Sequence, residues 1–334
     1  LGCKGCSTDE LIFEIKINED QNQSMEKMVL EYFNRRGILV QTTAEGWIMD
    51  EDGIKDFYDF CRDHMDSESI FFRMNQEEWK PIKMVEPILS AEWIDEVIRK
   101  GMVTCFYQPI IDGDLNIEAY ELLARFQRED GSMIYPNEIF SAAKTRGRLY
   151  ALDRVCRMTA VRYAARLNKK AFINFIPTAI YSPEFCLRST VSLANELGID
   201  PSMFVFEVVE SEQVEDLNHL KRILSYYKEK GFKYALDDVG EGFSTLEALE
   251  ELSPNYMKLD MKYVQGVAKD EAKQAMAMKF LKAALDVEAV PLAEGVETEE
   301  DFHWLKQNGY QLFQGYLFGK PSPNPLSKVE GIAV

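Results

Sequence analysis

Several things are scarce in this chain of 334 residues. No apolar run approaches the eighteen or more residues of a membrane span, and the start shows no signal-peptide pattern. Cysteine occurs six times, at 3, 6, 61, 105, 156 and 186, too sparsely for a secreted disulfide scaffold of this size. Cys105 sits in the apolar run VTCFY, where a buried free thiol is the ordinary reading. Histidine is rarer still: only His219 and His303 fall in the larger, C-terminal part, which argues against a His/Cys zinc centre there. Basic residues are also short, 38 against 56 acidic, for a net charge of −18. Such a surface repels duplex nucleic acid and anionic membranes. A small anionic ligand would need cations, or a local cluster of Arg and Lys, where it binds. A cytoplasmic location is the expectation.

What is present suits a folded protein: 46% hydrophobic and 12% aromatic residues supply ample core. Two prolines in EEWKPIKMVEP (77–87) interrupt the periodic segments and mark a boundary. Residues 1–80 read as a small α+β domain, 81–90 as a linker, and 91–334 as a larger domain. In the first, LIFEIKI (11–17), GILVQTT, GWIMD and SIFFRM read as strands, with helices over about 24–35 and 53–64. Beyond the boundary, a helix over 91–100 precedes VTCFYQPII and NIEAYELLARF, an antiparallel pair turning at Asp112–Gly113. Short apolar runs then alternate with amphipathic helices: AFINFI, FVFEVV, KYALDD, YMKLD, AVPLAEG and QLFQGY. The fold class is therefore α/β, a TIM-like (β/α)8 barrel with one antiparallel strand, preceded by the small α+β domain.

Polar residues interrupt those apolar runs at Glu121, Asn174, Glu207, Asp237 with Asp238, Lys258, Glu294 and Gln314, spaced by 53, 33, 30, 21, 36 and 20 residues. Most of these gaps are the length of one βα repeat. The carboxyl ends of parallel barrel strands converge on one face, so these side chains would meet there. A lone Glu on a strand ordinarily faces solvent and an Asp pair ordinarily makes a turn, but eight such positions in series argue for a site. Gathering carboxylates in a core is costly without cations. Mg²⁺ or Mn²⁺, which take carboxylate, amide and water oxygens, would resolve that cost. Paired ions of this kind suit phosphodiester hydrolysis, stabilising both attacking and leaving oxygens.

These residues carry a family resemblance. YQPI (107–110), YELLAR (120–125), INFIP (173–177), FEVVES (206–211), DDVGEGFS (237–244), MKLD (257–260), AEGVET (293–298) and QGYLFGKP (314–321) stand in the order of the EAL family of cyclic di-GMP phosphodiesterases. The chain resembles that family over about residues 87–325. The resemblance implies two Mg²⁺ or Mn²⁺ ions and hydrolysis of cyclic di-GMP to linear pGpG. Carried over, Glu121, Asn174, Glu207 and Asp237 hold one ion, and Asp237 bridges to a second held by Asp238 and Glu294. Lys258 orients the attacking water, Glu294 is a candidate general base, and Gln314 helps fix the shell. Gln108, Leu123 and Arg125 match substrate contacts, Glu210 the anchor of the loop after the Asp pair. Ca²⁺ is expected to bind and inhibit, because its longer and looser coordination misplaces the water. Family members generally pair through the barrel, which implies a homodimer. No run resembling GGDEF occurs, so synthesis of cyclic di-GMP is not expected.

Two departures stand out. Leu122 replaces the usual Ala of the signature, on the strand face opposite Glu121, where a packing adjustment is expected. DDVGEG replaces the usual DDFGTG, with Val239 a smaller anchor and Glu241 an added negative charge, while Gly240 and Gly242 remain. The alternative to an enzyme is a catalytically silent cyclic di-GMP receptor acting through a partner; such receptors usually lack several metal ligands, and none is missing here. A metal hydrolase of another phosphodiester is disfavoured by Gln108, Arg125 and QGYLFGKP. Near the start, Cys3 and Cys6 form a C-x-x-C pair, and Cys61 and His64 a C-x-x-H pair sharing a helix face. The four suggest a structural zinc site or, for the first pair, a redox disulfide; the plain alternative is a disordered start with Cys61 in the core.

Overall fold

The computed structural model describes residues 10–18, 20–208, 216–240, 245–329 and 331–332, without the side chains at 20, 21, 23 and 24. Contacts divide the chain into two units: Gly2–Lys100 with Asn137–Ala151, and Gly101–Pro136 with Leu152–Val334.

The first unit begins with β1 (Phe13–Ile17), α1 (Asp20–Arg36), β2 (Val40–Thr42), β3 (Trp47–Met49), α2 (Glu51–His64), β4 (Ile70–Met74) and β5 (Lys80–Pro81). The sheet order is β2-β3-β1-β4-β5, with antiparallel neighbours throughout. Alternation selects the core: Phe13 and Ile15 of β1 and Ile70, Phe72 and Met74 of β4 turn inward with Phe33, Phe57 and Trp47. On the other face Glu14 and Arg73 stand opposite in register, their carboxylate and guanidinium bonded at 2.9 Å, and Trp79 covers the guanidinium. Asp50 caps α2 by accepting from the Gly53 amide at 2.8 Å.

Residues 81–90, expected as a linker, instead form a 3₁₀ turn (Ile82–Met84) and α3 (Val85–Ser90). Ile82, Val85 and Ile88 are buried in the first unit's core. Pro87 lies in the first turn of α3, where its missing N–H costs nothing. A helix α4 (Trp93–Lys100) follows, burying Ile94, Val97 and Ile98 at helical spacing.

The second unit carries β6 (Val103–Asp112), β7 (Ile117–Gln127) and the short β8 (Met133–Ile134). The chain then gives α5 (Pro136–Thr145) and α6 (Leu149–Ala164), β9 (Lys170–Phe175), α7 (Pro183–Cys186) and α8 (Arg188–Glu196), β10 (Phe204–Val208) and α9 (Leu217–Glu229). It continues through β11 (Lys233–Val239), α10 (Leu246–Leu252), β12 (Tyr256–Leu259), α11 (Met261–Val264), α12 (Glu271–Asp286), β13 (Val290–Ala293), α13 (Glu299–Asn308) and β14 (Leu312–Gln314).

Eight strands close a ring in the order β6-β14-β13-β12-β11-β10-β9-β7 and back to β6, with β8 appended to β7. β6 is antiparallel to both neighbours, and every other pair in the ring is parallel. The (β/α)8 barrel with one antiparallel strand is thus the observed fold. Its main core lies between strands and helices, with Phe175, Phe206, Tyr227 and Phe232 packed ring on ring. No helix among the described residues is long and apolar enough to cross a membrane.

A candidate metal and substrate centre in the barrel

Inside the ring, Ile110, Ala119, Phe172, Val205, Ala235, Tyr256 and Leu292 form an apolar layer. Strand side chains repeat every two residues, so the next inward layer toward the carboxyl ends is set by adding two. Ala119 leads to Glu121, Phe172 to Asn174, Val205 to Glu207, Ala235 to Asp237, Tyr256 to Lys258 and Leu292 to Glu294. Leu312, which packs against the same layer, leads to Gln314. On the antiparallel β6 the count runs backward, and Ile110 leads to Gln108, directly opposite Glu121 in register. Eight polar side chains therefore make one layer above an apolar floor.

The Lys258 ammonium, fully buried, lies at the middle of that layer. Its Nζ is 2.7 Å from Glu207 Oε1, 2.8 Å from Asp237 Oδ1, 3.3 Å from Glu294 Oε2 and 3.8 Å from Glu121 Oε2. Glu121 accepts from Asn174 Nδ2 at 2.9 Å and from Gln314 Nε2 at 2.5 Å. Burial opposes the charge on Lys258, but Asp237, Glu121, Glu207 and Glu294 hold it well above its usual range. Burial also works against ionised Glu121, yet Lys258 and the Gln314 and Asn174 amides keep its carboxyl below the ordinary value. Burial and the neighbouring Glu121 charge drive Glu207 well above it. Glu294 is pushed up to about 8, chiefly by burial.

Consecutive residues on a regular strand face opposite ways, so Asp237 and Asp238 should not share a site. The pairing of β11 with β12 shifts register between Leu236 and Val239, a bulge at the Asp pair. Asp238 takes a left-handed backbone, φ 48°, which Asp tolerates better than most residues. Ligand atoms of Asp237, Asp238 and Glu294 consequently come within 4.8 Å of one another, a cluster able to hold a metal ion. Burial and the Asp237 charge raise Asp238 to about 7. Next to them Gly240, at φ 113°, has no room for a side chain, since a Cβ would stand 2.3 Å from the Tyr263 ring.

The donor set fits hard divalent ions. Glu207 Oε1 and Oε2, Asp237 Oδ1, Glu294 Oε2 and Gln314 Oε1 are buried without a well-aligned hydrogen bond, as is Lys258 Nζ despite its short ion-pair distances. Three of these oxygens face Lys258, but one ammonium cannot balance five carboxylates, so the layer calls for further cations. Asn174 spends its amide nitrogen on Glu121, which leaves its carbonyl oxygen for such an ion.

Of the residues expected to contact substrate, Gln108 is buried, Leu123 half-buried, and Arg125 half-buried over the Phe106 ring at 5.2 Å. Alternation puts Leu123 and Arg125 on the face of Glu121, and burial lowers the Arg125 pKa while the Glu121 charge opposes that. Leu122 points the other way, into the core between strands and helices. Gly315 admits the Val296 backbone, where a Cβ would stand 2.0 Å from its carbonyl oxygen, and the Val296 amide donates to Gln314 O at 2.9 Å. That contact fixes the end of β14 and with it Gln314.

Of the cysteine–histidine set, only Cys61 and His64 fall among the described residues, and they face different ways. Cys61 is fully buried in the first unit's core, 3.7 Å from Met65 Sδ, whereas His64 is exposed against Phe60. The two sit about 60° apart around α2, enough at a helix boundary for one to turn inward and the other outward. Cys3 and Cys6 lie outside the described residues, as do Glu210 and the loop residues Glu241 and Gly242. Asp260, the last residue of the MKLD motif, is buried, adds its negative charge to those that raise Asp238, and caps α11 by accepting from the Lys262 amide at 2.7 Å. The two-residue step from Lys258 was the signal that could have found it.

Comparison with known proteins agrees with this fold. The model of the EAL domain matches residues 91–321. A probable cyclic di-GMP phosphodiesterase of Escherichia coli K12, PdeG, is 31% identical over 241 residues, 69% of this chain and 46% of its own length. The chain thus spans about half the length of that curated relative. A standalone versatile EAL protein from Vibrio cholerae O395, solved in its c-di-GMP-bound form, is 36% identical over 69% of this chain and 95% of that one, with a TM-score of 0.60. BlrP1 of Klebsiella pneumoniae, solved as a calcium/cy-diGMP complex, spans 96% of this chain and 98% of its own at a TM-score of 0.61; at 19% identity the likeness is one of fold. On the match over residues 91–321, the chain belongs to the EAL-domain family.

Proposed function

We propose that this chain hydrolyses cyclic di-GMP to linear pGpG, and so lowers the level of that second messenger. The observation that carries the reading is the layer of carboxylates around Lys258 whose buried oxygens lack aligned partners. Glu121, Asn174, Glu207 and Asp237 would hold one Mg²⁺ or Mn²⁺, with Asp237 shared and Asp238 and Glu294 completing a second place. Ions bound there supply charge stabilisation of the attacking and leaving oxygens and a water that ionises near neutral pH. Lys258 donates to that water and orients it, and Gln314 steadies Glu121. Glu294 takes up the proton from that water as the general base. Arg125 offers a forked donor set to a phosphate, with Gln108 and Leu123 beside it. Glu210 would anchor the loop that follows Asp238.

The PdeG relative is named a probable cyclic di-GMP phosphodiesterase and the Vibrio neighbour is titled as c-di-GMP bound, which supports the substrate. In the domain organisation we propose, the small α+β domain of residues 1–80 regulates the EAL barrel of residues 91–334. The protein acts in the cytoplasm as a homodimer. The test is hydrolysis by purified protein with Mg²⁺ or Mn²⁺, following pGpG by chromatography. Metal-dependent pGpG is the expected result, with Ca²⁺ binding but inhibiting. Tight binding of cyclic di-GMP without turnover under either ion would overturn the enzyme in favour of a receptor, and robust turnover with Ca²⁺ would contradict the two-ion geometry.

A further inference from the structure

A second charged group lies behind β9 and takes no part in the chemistry above. Asp153 and Arg157, one turn apart on α6, are 3% and 2% exposed. Asp153 Oδ2 accepts from Arg157 Nε at 3.2 Å and Nη2 at 2.8 Å. Arg157 Nη1 donates to Thr190 Oγ1 on α8 at 2.6 Å. The other carboxylate oxygen, Asp153 Oδ1, accepts from the Ile176 amide at 3.0 Å. Ile176 follows the last paired residue of β9, since the ladder with β10 ends at Phe175, and Pro177 after it has no N–H to give. The Ile176 amide would therefore be orphaned in the core without Asp153.

A buried ion pair is a poor way to gain stability, because apolar residues of similar volume do as well or better. What this one supplies is a rigid acceptor, with its carboxylate held from two sides. The amide it holds lies two residues beyond Asn174, whose side chain reaches Glu121 in the polar layer. We propose that Asp153, clamped by Arg157 and Thr190, is a positioning residue for the metal-binding centre. By pinning the carboxyl end of β9 it sets the height and rotation at which Asn174 presents its carbonyl oxygen. The inference rests on the reading of Asn174 as a ligand given above.

The test compares two charge-balanced variants of the full chain. Asp153→Asn with Arg157→Met keeps an acceptor for the Ile176 amide, and Asp153→Leu with Arg157→Met removes it. Both are checked for folding by circular dichroism, and Mn²⁺ binding is then titrated calorimetrically without substrate. The expected result is Mn²⁺ affinity about tenfold weaker in the leucine variant than in the asparagine variant. Its kcat falls while KM for cyclic di-GMP is unchanged. Equal Mn²⁺ affinity in the two folded variants would overturn the positioning role while leaving the metal centre standing. Absence of Mn²⁺ binding in the unaltered protein would remove the centre and this role with it. Should the leucine variant not fold, Thr190→Val, which frees one Arg157 N–H, is expected to weaken Mn²⁺ binding and Thr190→Ser to restore it. Wild-type affinity in Thr190→Val would then overturn the proposal.

Discussion

Each of the two units buries a cluster of charges, and the clusters are built to opposite rules. In the first unit Arg146, 1% exposed, makes four hydrogen bonds and one further ion-pair contact. Nη1 meets Glu51 Oε1 at 2.8 Å and Ile88 O at 3.0 Å, and Nη2 meets Glu51 Oε2 at 2.8 Å and Asp95 Oδ2 at 2.6 Å. Nε takes Asp95 Oδ2 at 2.8 Å, and Arg148 shares the same carboxylate through Oδ1 at 2.6 Å. Two carboxylates face two guanidiniums, and the geometry is forked and complete. In the barrel, five carboxylates (Glu121, Glu207, Asp237, Asp238, Glu294) gather with a lone ammonium, and several of their buried oxygens have no aligned donor. A saturated cluster has nothing left to bind and serves structure; an unsaturated one of net negative charge is made for a cation.

The sharpest way to break that contrast is to cut one member from each cluster. Glu121→Ala removes a carboxylate that Asn174 and Gln314 both address. Turnover of cyclic di-GMP should fall by about 10³-fold or more, a loss of several kcal/mol of charge stabilisation. Stability should fall only modestly, since the relief of like-charge repulsion offsets part of what the Asn174 and Gln314 amides and Lys258 lose. A near-normal rate in this variant would refute the assignment of the layer. Arg146→Met should do the reverse. It strands Glu51, leaves Asp95 to Arg148 alone, and should cost about 3–5 kcal/mol on urea unfolding. Added Mg²⁺ should restore none of that loss. If Mg²⁺ did rescue Arg146→Met, the two clusters would not be the separate kinds of object described here.

How much of this was legible in the sequence depends on periodicity. Every member of the polar layer sits two residues along a strand from an inward-facing apolar residue or the packing beside it, so runs such as VFEVV and YMKLD carried both layers in plain view. The lone antiparallel strand was legible too, because Asp112 and Gly113 leave too few residues for a crossover before NIEAYELLARF. Asp238 was legible only through the motif, since its approach depends on a register shift that no period predicts. Residues 81–90 misled because Pro81 and Pro87 look like breakers, whereas one ends an edge strand and the other starts a helix. The Arg146 cluster could not be foreseen at all. Its partners are 95 and 51 residues away, and a salt bridge leaves no spacing signature.

The smallest expected effect is one of pH, and its sign distinguishes the clusters. Asp238 and Glu294 are raised to about 7 and about 8, both mainly by burial, from ordinary values near 4 in the unfolded chain. Between those limits the folded protein binds more protons than the unfolded one, so stability falls as pH rises. Their stabilising contribution is complete below pH 4 and is lost as pH climbs through 7 and 8. Glu121 runs the other way, its lowered value acting only at acid pH, outside this window. The melting temperature of the protein in chelator should therefore drop by a few degrees between pH 6 and 9 and level off above that. Saturating Mg²⁺ binds the ionised carboxylates, so it should flatten or invert the slope and raise melting most at the alkaline end. Arg146→Met, cut from the other cluster, should lower the melting temperature at every pH and leave the effect of Mg²⁺ on the slope unchanged. A pH slope that Mg²⁺ leaves unchanged would mean that the barrel carboxylates are neutralised from within, and that the layer does not await a cation.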